Sequence, residues 1–185
     1  MIIGSEVGKR FDGVSLGTCI VDDMNKTAIE YAKEFVSVGS SGLILTGKVG
    51  TGKTYIMMAI LNDITGSADY GSESIVYWKS WDLANAIRNN IEINSTAIID
   101  SAKNADIMFI DDLGLEYHKN GSDFIKTTFR SIFDYRWENK LPIVFTTSIY
   151  SIELVRLYGA DVISRWCDSC DIVELRGDDR RDGGS

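Results

Sequence analysis

Short apolar runs alternate along this chain with stretches whose apolar residues recur at helical spacing. The runs predict five strands, at residues 42–46, 74–79, 107–110, 143–147 and 171–175. Ala28, Ala32, Phe35 and Val36 predict a helix over 22–38, capped by Asp22 or Asp23 and ended by the Gly/Ser segment 39–42. Residues 55–61, free of Gly and Pro, predict the next helix. Ser80 caps another through Trp81, Leu83, Ala84 and Ile87, and Ala97, Ile98, Ile99 and Ala102 mark a fourth. A longer helix over 124–137 carries Phe124, Thr128, Ile132 and Tyr135 on one face, and two short ones follow at 151–158 and 160–168. Residues 1–18 hold Gly4, Gly8, Gly13 and Gly17 and read as an irregular lead-in. Residues 66–74 and 116–123 are polar connections, and the charged, Gly-rich end frays over 182–185. Nearly all-apolar strands alternating with helices predict an α/β fold. Its centre is a three-layer parallel sheet of about five strands with helices on both faces. One domain, 19–181, carries it.

The segment between the first strand and its helix has a chemistry of its own. Gly47, Lys48, Val49, Gly50, Thr51, Gly52, Lys53 and Thr54 fit G-x-x-x-x-G-K-[ST], and Tyr55 opens the helix proper. Glycines let consecutive N–H groups turn inward on phosphate oxygens, and the helix N-terminus adds positive partial charge. Lys53 then reaches the outer phosphates and the Thr54 hydroxyl ligates Mg²⁺. The alternative is a Gly-rich turn with no ligand. The match at every fixed position, in strand–loop–helix context, points to a nucleoside triphosphate.

Composition narrows the setting. The 185 residues are 44% hydrophobic and 25% charged, as for an ordinary globular domain. No apolar run approaches membrane-spanning length and the N-terminus lacks a signal-like pattern, which predicts a cytosolic protein without membrane contact. Three cysteines argue against a disulfide framework. A net charge of −8 excludes nonspecific coating of duplex DNA, so any nucleic acid must meet a few local cations.

A second carboxylate element completes the nucleotide reading. In phosphate-loop enzymes an acidic residue ending a neighbouring strand holds Mg²⁺. Asp111, after four apolar residues, fits that Walker B role, and Asp112 is placed to orient or deprotonate a water. Thr146, Thr147 and Ser148 end a later strand in three hydroxyls. One of them either contacts the γ-phosphate or lytic water, or all satisfy local backbone.

Together these segments resemble the DnaC/DnaI-type helicase loaders of the AAA+ ATPases, with IstB-like transposition helpers as relatives. The matching pieces are the loop 47–54, Ile110-Asp111-Asp112-Leu113-Gly114, and Tyr135-Arg136 followed by Leu141-Pro142 and Phe145-Thr146-Thr147-Ser148. Ile163-Ser164-Arg165, Gly177-Asp178-Asp179-Arg180-Arg181 and the lead-in Arg10-Phe11-Asp12 match as well, so the likeness spans roughly 9–181. The resemblance implies an ATP-hydrolysing, head-to-tail oligomer without a substantial C-terminal lid domain. It assigns Arg165 as an arginine finger for the neighbouring subunit, against a plain ion pair with Asp161 or Asp168. Arg180 or Arg181 takes the sensor 2 position, against a solvated tail. The sensor 1 position falls on Ser148, with Thr147 adjacent, where the family usually has an amide, which implies slow hydrolysis. Phe11 stacks on adenine or anchors the core. By the same resemblance the partners are single-stranded DNA and a replicative helicase, with Lys79, Arg88 and Lys103 as DNA contacts and Trp78 or Trp81 as stacking platforms. Otherwise the tryptophans are core and the cations ordinary surface. Full-length loaders carry a helicase-binding domain that is not seen before residue 9. A nucleotide-gated adaptor or transposition helper is therefore the alternative, and a small-molecule kinase is disfavoured because no basic lid is evident.

Two features carry less. Cys167 and Cys170 form a C-x-x-C whose only other soft donors, Cys19 and His118, lie far off in sequence, so both read as packing residues. His118, past the Walker B turn, reads as solvated.

Overall fold

The computed structural model describes residues 2–39, 41–67, 74–89, 95–117 and 123–181. Among these residues, six parallel strands make one sheet: β1 (Ile2–Gly4), β2 (Gly42–Gly47), β3 (Ile75–Lys79), β4 (Ile107–Asp111), β5 (Ile143–Thr147) and β6 (Asp171–Leu175), in the order β1-β3-β4-β5-β2-β6. The period of two sorts the side chains. Leu43, Leu45, Ile75, Tyr77, Ile107, Phe109, Val144 and Val173 face α1 (Lys26–Val38) and α2 (Lys53–Gly66). Ile44, Val76, Met108, Ile110, Ile143 and Phe145 face the other layer. That layer holds α3 (Ser80–Asn89), α4 (Ser95–Asn104), α5 (Asp123–Glu138), α6 (Ser151–Tyr158) and α7 (Ala160–Ser169). With both faces covered, α2 is apolar nearly all round. Met57, Met58, Ile60 and Leu61 are fully buried, each contributing about 1.5–3 kcal/mol. Their burial fixes the start of α2 against the strand ends.

The sequence pattern errs in five places. The lead-in is not wholly irregular, because Ile2–Gly4 pairs with Ile75, Val76 and Tyr77 and adds a sixth strand. Helix α1 starts at Lys26 behind an Asn25 N-cap, while Asp22 Oδ1 accepts the N–H groups of Met24 and Asn25 in the turn before it. The buried face of α5 is Ile125, Thr128, Phe129, Ile132, Phe133 and Arg136, whereas Phe124 is exposed. Ser80 does not cap α3: its hydroxyl donates to the Asp112 carbonyl over 2.7 Å. β5 also lies between β2 and β4, so the acidic strand is one removed from the loop's strand. His118 and the tail 182–185 lie outside the described residues.

Candidate nucleotide-binding site

The carboxyl ends of β2, β5 and β4 and the start of α2 enclose the site, as expected where a parallel sheet meets its loops. Gly50 and Gly52 take φ of +83° and +98°, which only glycine adopts without strain, and Gly52 is the N-cap of α2. Buried Thr51 closes the curl by donating from Oγ1 to the Lys48 carbonyl over 2.9 Å. Lys53 is 5% exposed, and its Nζ donates to the carbonyls of Gly47 (2.8 Å) and Lys48 (2.7 Å). Burial lowers its pKa, while Asp112 and Asp111 pull it back toward the charged form.

Thr54, on the first turn of α2, donates from Oγ1 to Asp111 Oδ1 over 2.9 Å. Thr146, at the end of the intervening strand, donates to the same oxygen over 2.7 Å and accepts the Asp112 N–H over 2.9 Å. The acidic turn after β4 is therefore gripped from several sides. The Leu113 N–H reaches the Thr146 carbonyl over 2.8 Å, and the Leu113 carbonyl accepts the Thr147 hydroxyl over 2.8 Å. The Gly114 N–H donates to Glu116 Oε2 over 2.8 Å, and the other Glu116 oxygen takes the Tyr158 hydroxyl. Asp112 stands at the bend with φ of 55°, a conformation unusual outside glycine. Burial and the neighbouring Asp111 raise its pKa, against the opposing pull of Lys53, Lys79 and Arg10.

These groups open on a cavity of about 730 Å³, within the size range of nucleotide-sized pockets. Phe11, Ile20, Ile29, Val49 and Tyr55 form its apolar part, and Lys53, Lys79, Arg10, Arg180 and Arg181 bring positive charge. Phe11 serves two purposes: at 8% exposed it belongs to the core and also walls the cavity, with the Arg10 guanidinium 4.4 Å from its ring centre. The residues fit a magnesium-bound triphosphate. A glycine-shaped cradle, a lysine on loop carbonyls, and a hydroxyl touching a buried carboxylate are a hard-oxygen donor set beside an anion site.

Other sequence candidates lie elsewhere. Thr147 is committed to the Leu113 carbonyl, and Ser148 lines a separate cavity of about 320 Å³ with Lys48 and Trp166. Thr146 is the hydroxyl in contact with the carboxylate. Arg165 pairs with Asp134 and lies 4.9 Å from the Trp137 ring centre; Asp161 pairs with Arg130 instead. Arg180 pairs with Asp22 at 2.7 Å, and Arg181 with Asp179. Of the cations read as DNA contacts, Lys79 lines the nucleotide cavity, Arg88 stacks toward Trp81 and Lys103 toward Tyr135. Trp78 packs half-buried against the second core cluster, while Trp81 is 41% exposed. Cys170 packs against Gly42 with its thiol pKa pushed up to about 11 by burial, but Cys167 is exposed and so packs little. Among the described residues no three His, Cys, Asp or Glu side chains group as metal ligands, and no helix is long and apolar enough to cross a membrane.

Comparison with known proteins agrees with this geometry. The replicative helicase loader DnaC of Escherichia coli K12 is 26% identical over 141 residues, covering 75% of this chain and 54% of the loader. The chain thus spans about half the length of that relative. A crystal structure of the DnaC helicase loader superposes with a TM-score of 0.78 at 21% identity, over 91% of this chain and all of that one. The replication initiator DnaA bound to AMPPCP and single-stranded DNA gives 0.75 at 21% identity, over 92% of this chain and 51% of that one. These two likenesses show the fold: the same parallel α/β sheet architecture as DnaC and DnaA. A family model described as the bacterial DnaA ATPase domain matches residues 15–166, most of the chain. The chain belongs to the bacterial DnaA ATPase-domain family.

Proposed function

We propose that the chain binds ATP with Mg²⁺ and hydrolyses it as a nucleotide switch serving helicase loading on single-stranded DNA. The observation that carries this reading is the meeting of Thr54 with Asp111 at the mouth of the loop that holds Lys53. In this reading the N–H groups of 50–54 and the Lys53 ammonium bind the phosphates. Thr54 and Asp111 hold the metal, which supplies charge neutralisation at the phosphate oxygens. Asp112 takes up the attacking water and its proton, with Thr146 fixing the Asp111 carboxylate and the Asp112 backbone. Phe11 and Tyr55 receive the base, and Arg180 and Arg181 face the phosphates from the tail. Arg165 acts on a neighbouring copy in a head-to-tail oligomer.

Support for the DNA and helicase partners is of a different kind. A DnaA structure of the same fold is bound to AMPPCP and single-stranded DNA, and the Escherichia coli relative is a replicative helicase loader. On this surface, Trp81 with Arg88 beside its ring is the stacking platform nearest the required chemistry. Titration calorimetry tests the core: Lys53→Ala should reduce ATP affinity beyond detection, and unchanged affinity would sink the reading. Capture of a replicative helicase by the ATP-loaded chain, and not by the Lys53→Ala variant, tests the partner.

A further inference from the structure

After β6 the chain turns back over the phosphate loop. Gly177 lies against Met24, and the Arg180 N–H donates to the Gly50 carbonyl over 3.0 Å. The Arg180 guanidinium pairs with Asp22, just before α1. Between these anchors the Asp179 carboxylate rests on Gly50. A Cβ at position 50 would fall 2.1 Å from its carboxyl carbon, so any larger residue there would push the carboxylate aside. Asp179 in turn grips Arg181, accepting Nε at 2.9 Å, Nη2 at 2.6 Å and the Arg181 backbone N–H at 3.0 Å. Arg181 lines the cavity close enough to Lys53 to depress the lysine's pKa. An anion thus sits against the loop best shaped to receive anions, and it holds one of the cations that a polyphosphate would recruit.

Resting on the nucleotide-binding reading above, we propose that Asp179 sets nucleotide affinity: it holds the Arg181 guanidinium at Gly50, so that a nucleoside polyphosphate reaches full affinity only by drawing Arg181 away. The exchange is between two acceptors for one planar fork, a carboxylate two residues distant and phosphate oxygens. Both partners are partly exposed, with side chains 60% and 33% accessible, so the pair is weak and the swap is readily reversible. Asp179 is therefore an affinity-setting residue that acts through Arg181. Its removal should improve binding, the reverse of what loss of a structural contact does.

The test is a double-mutant cycle on the full chain, with Asp179→Asn, Arg181→Ala and both together, reading ATP affinity by calorimetry and unliganded stability by thermal unfolding. Asp179→Asn should tighten ATP by about threefold to fivefold, the size of one exposed ion pair. Arg181→Ala should weaken it, and in that background Asp179→Asn should change nothing. Unchanged or weaker ATP binding by Asp179→Asn overturns the proposal. So does a tightening that survives Arg181→Ala, which would mean direct repulsion at Gly50. A wild-type chain that binds no ATP would overturn the nucleotide reading and this one together, whereas wild-type binding with an unmoved Asp179→Asn overturns this one alone.

Discussion

Thr54 and Asp111, 57 positions apart in sequence, meet through their side chains over 2.9 Å. The contact works because Asp111 Oδ1 is already fixed by Thr146, which also receives the Asp112 N–H. One fully buried hydroxyl therefore holds the Asp111 carboxylate and the Asp112 backbone together. Thr146→Val keeps the shape and removes the hydroxyl, leaving a buried N–H without its acceptor. It should cost about 1–3 kcal/mol of stability, and it should lower turnover more than ATP affinity. Urea unfolding with steady-state kinetics checks both, and Thr146→Ser should recover most of each. A Thr146→Val enzyme with wild-type turnover would show that the hydroxyl only packs.

Arg136 is 1% exposed, yet burial lowers its pKa only to about 10, so it stays charged at neutral pH. Its fork donates to the carbonyls of Ala102, Lys103, Ala105, Asp106 and Pro142, binding the end of α4 to the starts of β4 and β5. Arg136→Met would strand those carbonyls and should destabilise the chain by several kcal/mol, since each buried acceptor left unsatisfied costs about 1–3 kcal/mol. Arg136→Lys should recover only part, because one ammonium cannot span a fork's reach. Denaturant midpoints of the two variants decide it; equal midpoints to wild type would mean the carbonyls find other donors.

The loop and the acidic strand end were legible because each is contiguous and the phosphate chemistry demands fixed residue types. What was missed follows from geometry that crosses strands. Asp111 shares its face with Ile107 and Phe109, toward α2, and Thr146 shares that face with Val144. Thr147 follows Phe145 to the opposite face, which is why its hydroxyl meets Leu113 and not the site. The same parity carries Lys79 with Tyr77 toward α2 and into the nucleotide cavity. Counting alternate residues from the phosphate-loop helix would have found both. Strand β1 offered no such signal: three residues ending in Gly4 are too short to show a period, and only pairing with β3 defines them. Glu116 and Tyr158 were equally hidden, since a carboxylate in a polar stretch gives no hint that a helix 42 positions on will bury it.

Glu116 gives the chain a pH dependence. It is completely buried, and burial raises its pKa above the ordinary value, in part offset by the donors Tyr158 and Gly114. The folded chain then holds the Glu116 proton more tightly than the unfolded chain does. Between the unfolded value and the raised folded one, stability falls as pH rises, and it is greatest below that window. Glu116→Gln cannot titrate, so the stability difference between wild type and variant should shrink or reverse from about pH 4 to pH 8. Parallel curves in urea unfolding across that range would contradict the assignment.

Arg165 separates a structural role from one in an assembly. Within one chain it is tied to Asp134 and lies over Trp137, and it does not line the nucleotide cavity. Both side chains of the pair are 31% accessible, so breaking it should move stability by no more than about 1 kcal/mol. If Arg165 instead completes a neighbour's site, Arg165→Ala should keep ATP affinity and lose the rise of turnover with protein concentration. The deficit at high concentration should be large, about 10³–10⁵ where a guanidinium stabilises charge on the transferring phosphoryl group. Arg165→Lys should not restore it, because a point charge lacks the planar fork. Mixing Arg165→Ala with Lys53→Ala chains sharpens the test: each supplies what the other lacks, so turnover should reappear only if the arginine works across a subunit boundary.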